Sequence, residues 1–276
     1  MNFFSSIVYG LVSGLTEIFP VSSQANQMVM RQIFGVGQKE PIRDLLIHLA
    51  VIIAVLVACR GMFGKIRREQ ALAYRMRRNP SQIRSLKGVY DMRLVRTAAP
   101  IMMFGLLANL LFTNFYSKRV LFALMLLINA AITLVPTYMH HGNRDARTLH
   151  RSDGLMIGFA AALSAIPGIS RNGAIMFVAL IREADKQNGV VWALILTIPA
   201  MVMLILLDFI AMFTVGIGTI TLATVGGYLV SMLSAFAGAF VGITTIRNVI
   251  LRTDYTVFGY YDFGLALLSF ILYLIA

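Results

Sequence analysis

The chain contains several long runs without Asp, Glu, Lys or Arg, and each run predicts a helix that crosses a membrane. A spanning helix needs about 20 mostly apolar residues. Four runs reach or approach that length: 97–117, 120–142, 187–207 and 209–246. The last can hold one long span and part of a second, with Gly226 and Gly227 as the predicted break. With 45–59 and 256–276, the pattern predicts about six ordinary spans.

Two further apolar segments, 1–34 and 154–181, are interrupted in the middle. The first contains Glu17, Pro20 and a polar run at 22–27, and the second contains the Pro- and Gly-rich run 167–173. Pro and Gly break a helix, and polar backbone at membrane depth is tolerated only where it lines a buried or wet cavity. Both segments are therefore predicted to be re-entrant helix–turn–helix hairpins.

Composition supports a membrane protein and excludes other classes. Of the 276 residues, 58% are hydrophobic and 13% are charged, against about 25% charged residues in an average soluble domain. The mean hydropathy is +0.78. A soluble protein could not bury so much apolar surface, and a disordered chain would contain far less of it. The prediction is an all-α, polytopic integral membrane protein with a single membrane domain, 1–276.

The formal net charge of +12 comes mainly from two basic clusters. One lies in 60–96, and the other contains Arg144, Arg147 and Arg151. Two predicted spans separate the clusters, so both should lie on the same side of the membrane, and the positive-inside rule makes that side cytoplasmic. Segment 60–96 is therefore predicted to be a cytoplasmic loop facing lipid headgroups. No nucleic-acid partner is expected.

The two hairpin segments resemble each other. When Pro20 is aligned with Pro167, Ser23 falls on Ser170, as expected for an internal repeat. Repeats with broken helices place their binding site at the repeat interface. The N-termini of the second helices would bring N–H groups and positive dipole ends to one place. The pattern predicts an anion site inside or near the membrane.

The residues at these turns suit a phosphate group. Arg171 lies in an apolar neighbourhood, where an ionisable residue is a functional candidate, and Arg binds phosphate in a bidentate fork. Ser22, Ser23 and Ser170 would add hydroxyl donors. Glu17 could accept a proton, orient water or hold a divalent cation.

A purely structural polar cluster is the alternative. Arg171 could pair with Glu17 or Asp208, and Ser22 could simply cap a helix. Both interpretations remain open from the residues alone.

Three motifs carry a resemblance to a known family. They are GLTEIFPVSS at 14–23, DLLIHL at 44–49 and IPGISRNGA at 166–174. In this order they resemble the undecaprenyl-pyrophosphate phosphatase family, also called the bacitracin-resistance or BacA-type family. The resemblance covers essentially the whole chain.

The resemblance implies a fold and a reaction. Members would be all-helical, with two inverted-repeat re-entrant hairpins, in the bacterial cytoplasmic (plasma) membrane. They would hydrolyse the pyrophosphate of the C55 lipid carrier to the monophosphate, which recycles the carrier for peptidoglycan synthesis and confers bacitracin resistance. The site would open to the outer face, with Mg²⁺ or Ca²⁺ assisting. The expected partners are the polyprenyl pyrophosphate and membrane lipids.

The resemblance also implies roles for particular residues. Glu17 matches the second of two paired glutamates in a family motif. The resemblance makes it a catalytic residue and the one expected metal ligand. Ser23 would be a nucleophile or phosphate ligand. The phosphate-binding set would be Ser22, Ser170, Arg171, Asn172 and Gly173, of which Arg171 also counts as catalytic.

The chain departs from the family pattern at polar positions. Ser13 stands for a glutamate and Asn26 for a histidine, while Asn172, Ile175 and Ala161 replace Ser, Thr and Gln. Asn26 and His48 are auxiliary candidates, although His48 could serve only helix packing. Two main functions follow: a phosphatase with a reduced catalytic set, or a non-hydrolytic polyprenyl-phosphate binder or lipid-carrier transporter. A phosphatase for another polyprenyl or phospholipid pyrophosphate is a third.

Overall fold

The computed structural model describes residues 2–35, 40–76, 80–112, 119–138, 142–217, 220–252 and 256–275, and the regular elements there are helices. The first half contains α1 (Phe3–Ile18), α2 (Ser23–Ile33), α3 (Pro41–Ala58), α4 (Arg60–Arg75), α5 (Pro80–Ile83), α6 (Lys87–Leu106) and α7 (Arg119–Leu134). The second contains α8 (Arg151–Ala162), α9 (Arg171–Ile181), α10 (Lys186–Thr214), α11 (Leu222–Arg252) and α12 (Thr256–Ile275). The all-α prediction is confirmed.

Within the residues that the structure describes, four helices are long and apolar enough to cross a membrane, and they match four of the predicted spans. They are Pro41–Ala58, Lys87–Phe112, Lys186–Thr214 and Leu222–Asn248. The spans predicted in 120–142 and 256–276 are the shorter apolar helices Leu121–Leu134 and Thr256–Ile271. The protein is thus a polytopic integral membrane protein. Helix α12 covers nearly all of its predicted span, whereas α7 ends at Leu134, before the end of the charge-free run 120–142.

The prediction of a break at Gly226 and Gly227 is wrong, because α11 runs through both residues without interruption. The chain turns earlier, at Gly216, whose φ of +88° follows the last turn of α10. Glycine inside a helix weakens it by only about 1 kcal/mol, whereas a left-handed φ ends it. Gly227 instead lies against α1, where an added Cβ would be 3.2 Å from Ser6 Oγ.

The basic segment 60–96 is largely helical rather than a loop. It contains α4, α5 and the beginning of α6. Glu69 on α4 accepts a hydrogen bond from the backbone N–H of Gly88, which ties α4 to the start of α6. Arg77 and Arg78, two of its basic residues, lie outside the described residues.

Both interrupted segments form helical hairpins, α1–α2 and α8–α9. The second turn requires glycine, because Gly168 has a φ of +105° and an added Cβ would lie 2.7 Å from Met125 Cβ. The contacts between helices follow the internal repeat. Helix α1 packs on α11, and its counterpart α8 packs on α6. In the same way α2 contacts α12, and its counterpart α9 contacts α7. Helix α3 pairs with α10, and α7 with α12, across the two halves. Each hairpin is therefore held by helices of the other half.

Candidate active site

The tips of the two hairpins meet, and a serine begins the second helix of each. Ser22 Oγ accepts a hydrogen bond from the backbone N–H of Ala25 at 3.3 Å, and Ser170 Oγ accepts one from Gly173 at 3.1 Å. These are N-caps, which satisfy amides that the helix leaves unpaired. The counterpart of Ser170 is therefore Ser22, one residue before the Ser23 that the alignment of Pro20 with Pro167 predicted. An added Cβ at Gly173 would lie 3.2 Å from the carbonyl oxygen of Pro20, so glycine allows the two turns to touch.

A cavity of about 770 Å³ opens beside this contact. Its polar lining includes six of the predicted site residues: Glu17, Ser23, His48, Ser170, Arg171 and Asn172. Ser22, Gly173 and Asn26, which were also predicted, are not among its lining residues. The structure therefore brings most of the predicted residues together, from four different helices and one helix cap.

Glu17 lies at the centre of the cavity's polar groups and is 6% exposed. Ser23 Oγ donates a hydrogen bond to Glu17 Oε1 at 2.6 Å. Arg171 Nη1 lies 3.5 Å from Glu17 Oε2, and His48 Nε2 lies 3.9 Å from Oε1. A hydroxyl, a carboxylate that accepts its hydrogen bond and a guanidinium thus lie together, and they could act on a phosphoryl group as nucleophile, base and anion-binding cation.

Arg171 and Asn172 also cap the end of α1 from the other hairpin. Arg171 Nη2 donates to the carbonyl oxygen of Glu17 at 3.0 Å and contacts Thr197 Oγ1 at 3.4 Å. Asn172 Nδ2 donates to the carbonyl oxygens of Glu17 and Ile18 at 3.0 and 2.8 Å. The structural alternative for Arg171, a pair with Glu17, is therefore present, although the guanidinium still lines the cavity.

His48 joins the cavity through a partner on α10. Its Nδ1 lies 2.7 Å from Asp208 Oδ2, and both residues are buried. This contact orients the imidazole ring, whose other nitrogen, Nε2, lies on the side of Glu17. The sequence had suggested Asp208 only as a partner for Arg171, whereas the structure pairs it with His48.

Sequence reasoning missed a row of hydrogen-bonded polar side chains along α2, formed by Ser23, Gln27 and Arg31. Gln27 Nε2 donates to Ser23 Oγ at 3.3 Å, and Arg31 Nη2 lies 3.5 Å from Gln27 Oε1 and 3.2 Å from Asp44 Oδ2. Arg31 and Asp44 line the same cavity, so Arg31 is a second cation facing it. The signal was the spacing of Ser23, Gln27 and Arg31, four residues apart on one helix face.

Asn26 faces away from this cavity. It lines a second cavity of about 450 Å³ together with Tyr261. Its Nδ2 donates to the carbonyl oxygen of Ser22 at 2.9 Å, and the Tyr261 hydroxyl donates to its Oδ1. Ser13, the other notable departure in the first hairpin, is buried in α1 and does not line the main cavity.

The donor set does not suit a metal held by protein ligands alone. Hard cations such as Mg²⁺ and Ca²⁺ require several oxygen ligands. Within the described residues, no group of three or more His, Cys, Asp or Glu side chains could hold a metal ion. Glu17 offers one carboxylate, and Ser23 and Arg171 already contact it. Most ligands of a cation here would have to come from a bound phosphate and water.

Comparison with known proteins gives a consistent picture. The family model described as bacitracin resistance protein BacA matches residues 6–268. Undecaprenyl-diphosphatase of Alkaliphilus metalliredigens (strain QYMF) is 27% identical over 269 residues, which cover 95% of each chain. Undecaprenyl-diphosphatase 1 of Shouchella clausii (strain KSM-K16) is 26% identical, with 98% of this chain and 96% of the relative covered. Undecaprenyl-diphosphatase 3 of Bacillus cereus (strain ATCC 14579) is 24% identical, with 99% and 98% covered.

Proposed function

This chain belongs to the bacitracin resistance protein BacA family, and from that premise we propose that it hydrolyses undecaprenyl pyrophosphate to undecaprenyl phosphate and inorganic phosphate. Relatives of nearly the same length are named undecaprenyl-diphosphatase. The observation that carries the proposal is the convergence of Ser23, Glu17 and Arg171 on one cavity. The product is the lipid carrier, ready for reuse in cell-wall synthesis, and its recycling is the basis of bacitracin resistance.

Arg171 binds the terminal phosphate of the substrate in this proposal. Arg171 is 8% exposed and lines the cavity at the N-terminus of α9. A charge-assisted, bidentate contact with phosphate oxygens would replace its long, 3.5 Å contact with Glu17 Oε2. Arg31, on the same cavity wall, can meet the second phosphate.

Ser23 is the nucleophile and Glu17 its base. Ser23 Oγ attacks the terminal phosphorus, its proton passes to Glu17 across the 2.6 Å hydrogen bond, and the bond to the bridging oxygen breaks. Undecaprenyl phosphate leaves. Water then attacks the phosphoserine, which releases inorganic phosphate and restores Ser23. His48, held by Asp208, lies beside Glu17 and serves as a second proton carrier for these transfers.

A divalent cation bound with the substrate would take most of its ligands from pyrophosphate oxygens and water. Glu17 would be its protein ligand, because the other two carboxylates on the cavity lining, Asp44 and Asp208, contact Arg31 and His48. When bound, the cation neutralises charge on the phosphates. We expect Glu17→Gln to raise the Mg²⁺ concentration for half-maximal activity by about tenfold, because a carboxylate is a much better ligand than an amide. Activity titrated against Mg²⁺ and Ca²⁺ tests this, and an unchanged midpoint would contradict it.

The cavity opens to the outer face of the plasma membrane. Arg144, in the second basic cluster, hydrogen-bonds through its backbone to Glu183 and Asp185, so the start of α10 lies on the basic, cytoplasmic side. The cavity lining includes Thr214 and Val215, at the opposite end of this long helix. This position supports an opening on the face where the carrier pyrophosphate is released.

Purified protein with undecaprenyl pyrophosphate and Mg²⁺ tests the proposal. Wild type should release phosphate, Ser23→Ala and Glu17→Gln should lose at least about 100-fold of the activity, and His48→Gln about tenfold. Acid quenching should trap labelled phosphate on wild type but not on Ser23→Ala. Ser85→Ala is the matched control, since Ser85 is exposed and its hydroxyl bonds only Gln82 nearby. Substrate binding without phosphate release would instead favour a non-hydrolytic lipid-phosphate binder.

A further inference from the structure

A cluster of three polar side chains connects the first three helices beside the main cavity. The hydroxyl of Tyr9 on α1 donates a hydrogen bond to Asp44 Oδ1 on α3 at 3.3 Å. Nη2 of Arg31 on α2 lies 3.2 Å from Asp44 Oδ2, and Arg31 Nε donates to the Tyr9 hydroxyl at 3.1 Å. Tyr9 and Asp44 are buried, whereas the Arg31 side chain is 22% exposed. Arg31 and Asp44 line the cavity, so the cluster presents a charged pair to whatever binds there.

The internal repeat shows what each hairpin needs in order to fold. When the N-cap residues Ser22 and Ser170 are aligned, Gly10 of α1 falls on Gly158 of α8. At both glycines an added Cβ would collide with a backbone carbonyl oxygen of the packed helix, at 2.2 and 2.6 Å. The alignment of the caps and the packing of the glycines therefore give the same register.

In this register the polar residues of the first hairpin have apolar counterparts. Tyr9 falls on Ile157 and Arg31 falls on Ala179, and both counterparts are buried. The second hairpin thus packs with an apolar residue at each position, so the hairpin fold does not require the polar cluster. A charged pair is costly to keep in apolar surroundings. The cluster is therefore a candidate for function rather than for folding.

A single amide group separates Arg31 from the proposed nucleophile. Gln27 Nε2 donates to Ser23 Oγ at 3.3 Å, and Gln27 Oε1 lies 3.5 Å from Arg31 Nη2. In a diphosphate, one bridging oxygen joins the second phosphate to the first. A terminal phosphate at Ser23 would therefore bring the second phosphate towards Arg31. The Arg31 guanidinium already contacts one anion, the Asp44 carboxylate, in the way that it would contact a phosphate.

We propose that Asp44 is an exchangeable counter-ion of Arg31, which it neutralises in the absence of ligand and yields to the second phosphate of a diphosphate. A monophosphate bound at Arg171 leaves the pair intact, so the pair selects diphosphates over monophosphates. After the exchange, the Tyr9 hydroxyl still donates to Asp44, which keeps the displaced carboxylate hydrogen-bonded. This inference rests on the proposed function only for the identity of the diphosphate as a lipid pyrophosphate.

Binding of inorganic pyrophosphate and inorganic phosphate to the full-length protein in detergent tests the exchange. Dissociation constants come from protection against thermal unfolding over a concentration series, without added metal. Wild type should bind pyrophosphate at least about tenfold more tightly than phosphate, and equal affinities would contradict the selection. Arg31→Gln should weaken pyrophosphate binding about 30-fold, because a charge-assisted contact is lost, and should leave phosphate binding within about twofold.

The direction of the change in Asp44→Asn distinguishes exchange from simple positioning. If Asp44 competes with the second phosphate, its replacement should tighten pyrophosphate binding about tenfold and change phosphate binding by less than about threefold. If Asp44 only holds Arg31 in place, the same substitution should weaken pyrophosphate binding, and that result would overturn the proposal. Asparagine has the size of aspartate and still accepts from the Tyr9 hydroxyl, so the fold should be retained.

Controls separate the exchange from folding and from turnover. Asp145→Asn removes a carboxylate that pairs with Arg147 outside the cavity, and its dissociation constants should equal those of wild type. Unchanged pyrophosphate affinity in Arg31→Gln, at equal folded yield, would also overturn the proposal, even if Asp44→Asn fails to fold. Neither probe requires turnover. Wild-type protein that binds both probes as expected but does not hydrolyse undecaprenyl pyrophosphate would therefore refute the proposed function alone.

Discussion

Arg171 combines two tasks that the sequence had presented as alternatives. Its guanidinium holds the last turn of α1 through the Glu17 carbonyl oxygen, and it also lines the cavity. The planar guanidinium can serve several acceptors at once, in directions that a single ammonium group cannot match. The proposed phosphate-binding group is therefore positioned by the same contacts that join the two hairpins.

Arg171→Lys tests this double role. We expect kcat/KM for undecaprenyl pyrophosphate to fall about 100-fold, or about 3 kcal/mol, because lysine cannot bind phosphate in a fork while it bonds α1. Steady-state kinetics in detergent measure the loss. The control is Arg68→Lys, an exposed position on α4. If Arg171→Lys keeps the wild-type kcat/KM, Arg171 does not bind the phosphate as proposed.

At the scale of elements, small residues let the hairpins pack closely on spans of the other half. An added Cβ would lie 2.2 Å from the carbonyl oxygen of Ser231 at Gly10 and 2.1 Å from that of Ala235 at Gly14. Gly10 and Gly14 are separated by one helical turn, and this small-xxx-small spacing allows helix backbones to approach within a membrane. The contact between α1 and α11 depends on these glycines.

Gly14→Ala is expected to destabilise the fold. Its methyl group would force α1 away from α11, at a cost of about 1–3 kcal/mol. The melting temperature of the detergent-solubilised protein should fall accordingly. Gly64→Ala on α4 is the matched control, since nothing lies within 4 Å of the added Cβ. It should melt at or slightly above the wild-type temperature because alanine favours helix. Equal melting of both variants would contradict the packing argument.

At the scale of the whole molecule, the basic clusters support the proposed orientation in the membrane. The second basic cluster and the start of α10 lie on one side, and the cavity lies towards the other end of α10. Helix α10 is 29 residues long, enough to cross the bilayer. The polar turns of the two hairpins thus lie at a cavity on the opposite end of α10 from the second basic cluster.

Cysteine labelling in intact cells tests this orientation. Ser85→Cys and Thr148→Cys, both exposed and near the basic clusters, should react with a membrane-impermeant maleimide only after the cells are permeabilised. Thr221→Cys, in the connection after α10, should react without permeabilisation. The native Cys59 is buried, and labelling of the wild-type protein measures its background reaction with the maleimide. Labelling of Ser85→Cys in intact cells would reverse the assigned orientation.

The sequence by itself determined the features that depend on local physics. Apolar runs of sufficient length predict helices in a membrane, and Pro and Gly inside such runs predict the two hairpins. The motifs that contain Glu17, Ser23 and Arg171 were sufficient to predict one shared cavity and the family. The spans and hairpins needed no knowledge of which helices touch, because each rests on residues close together in the chain. The shared cavity was predicted from the internal repeat and the family resemblance.

Only the tertiary structure decided the partners and directions of the polar side chains. It pairs His48 with Asp208, turns Asn26 away from the cavity and uses Asn172 to cap α1. It also shows that Gly226 lies within a continuous helix rather than breaking it. Partners such as these are far apart in the sequence, and helix packing selects among many possible pairs. In apolar surroundings an unpaired polar group is costly, so the packing that pairs most of these groups determines the site.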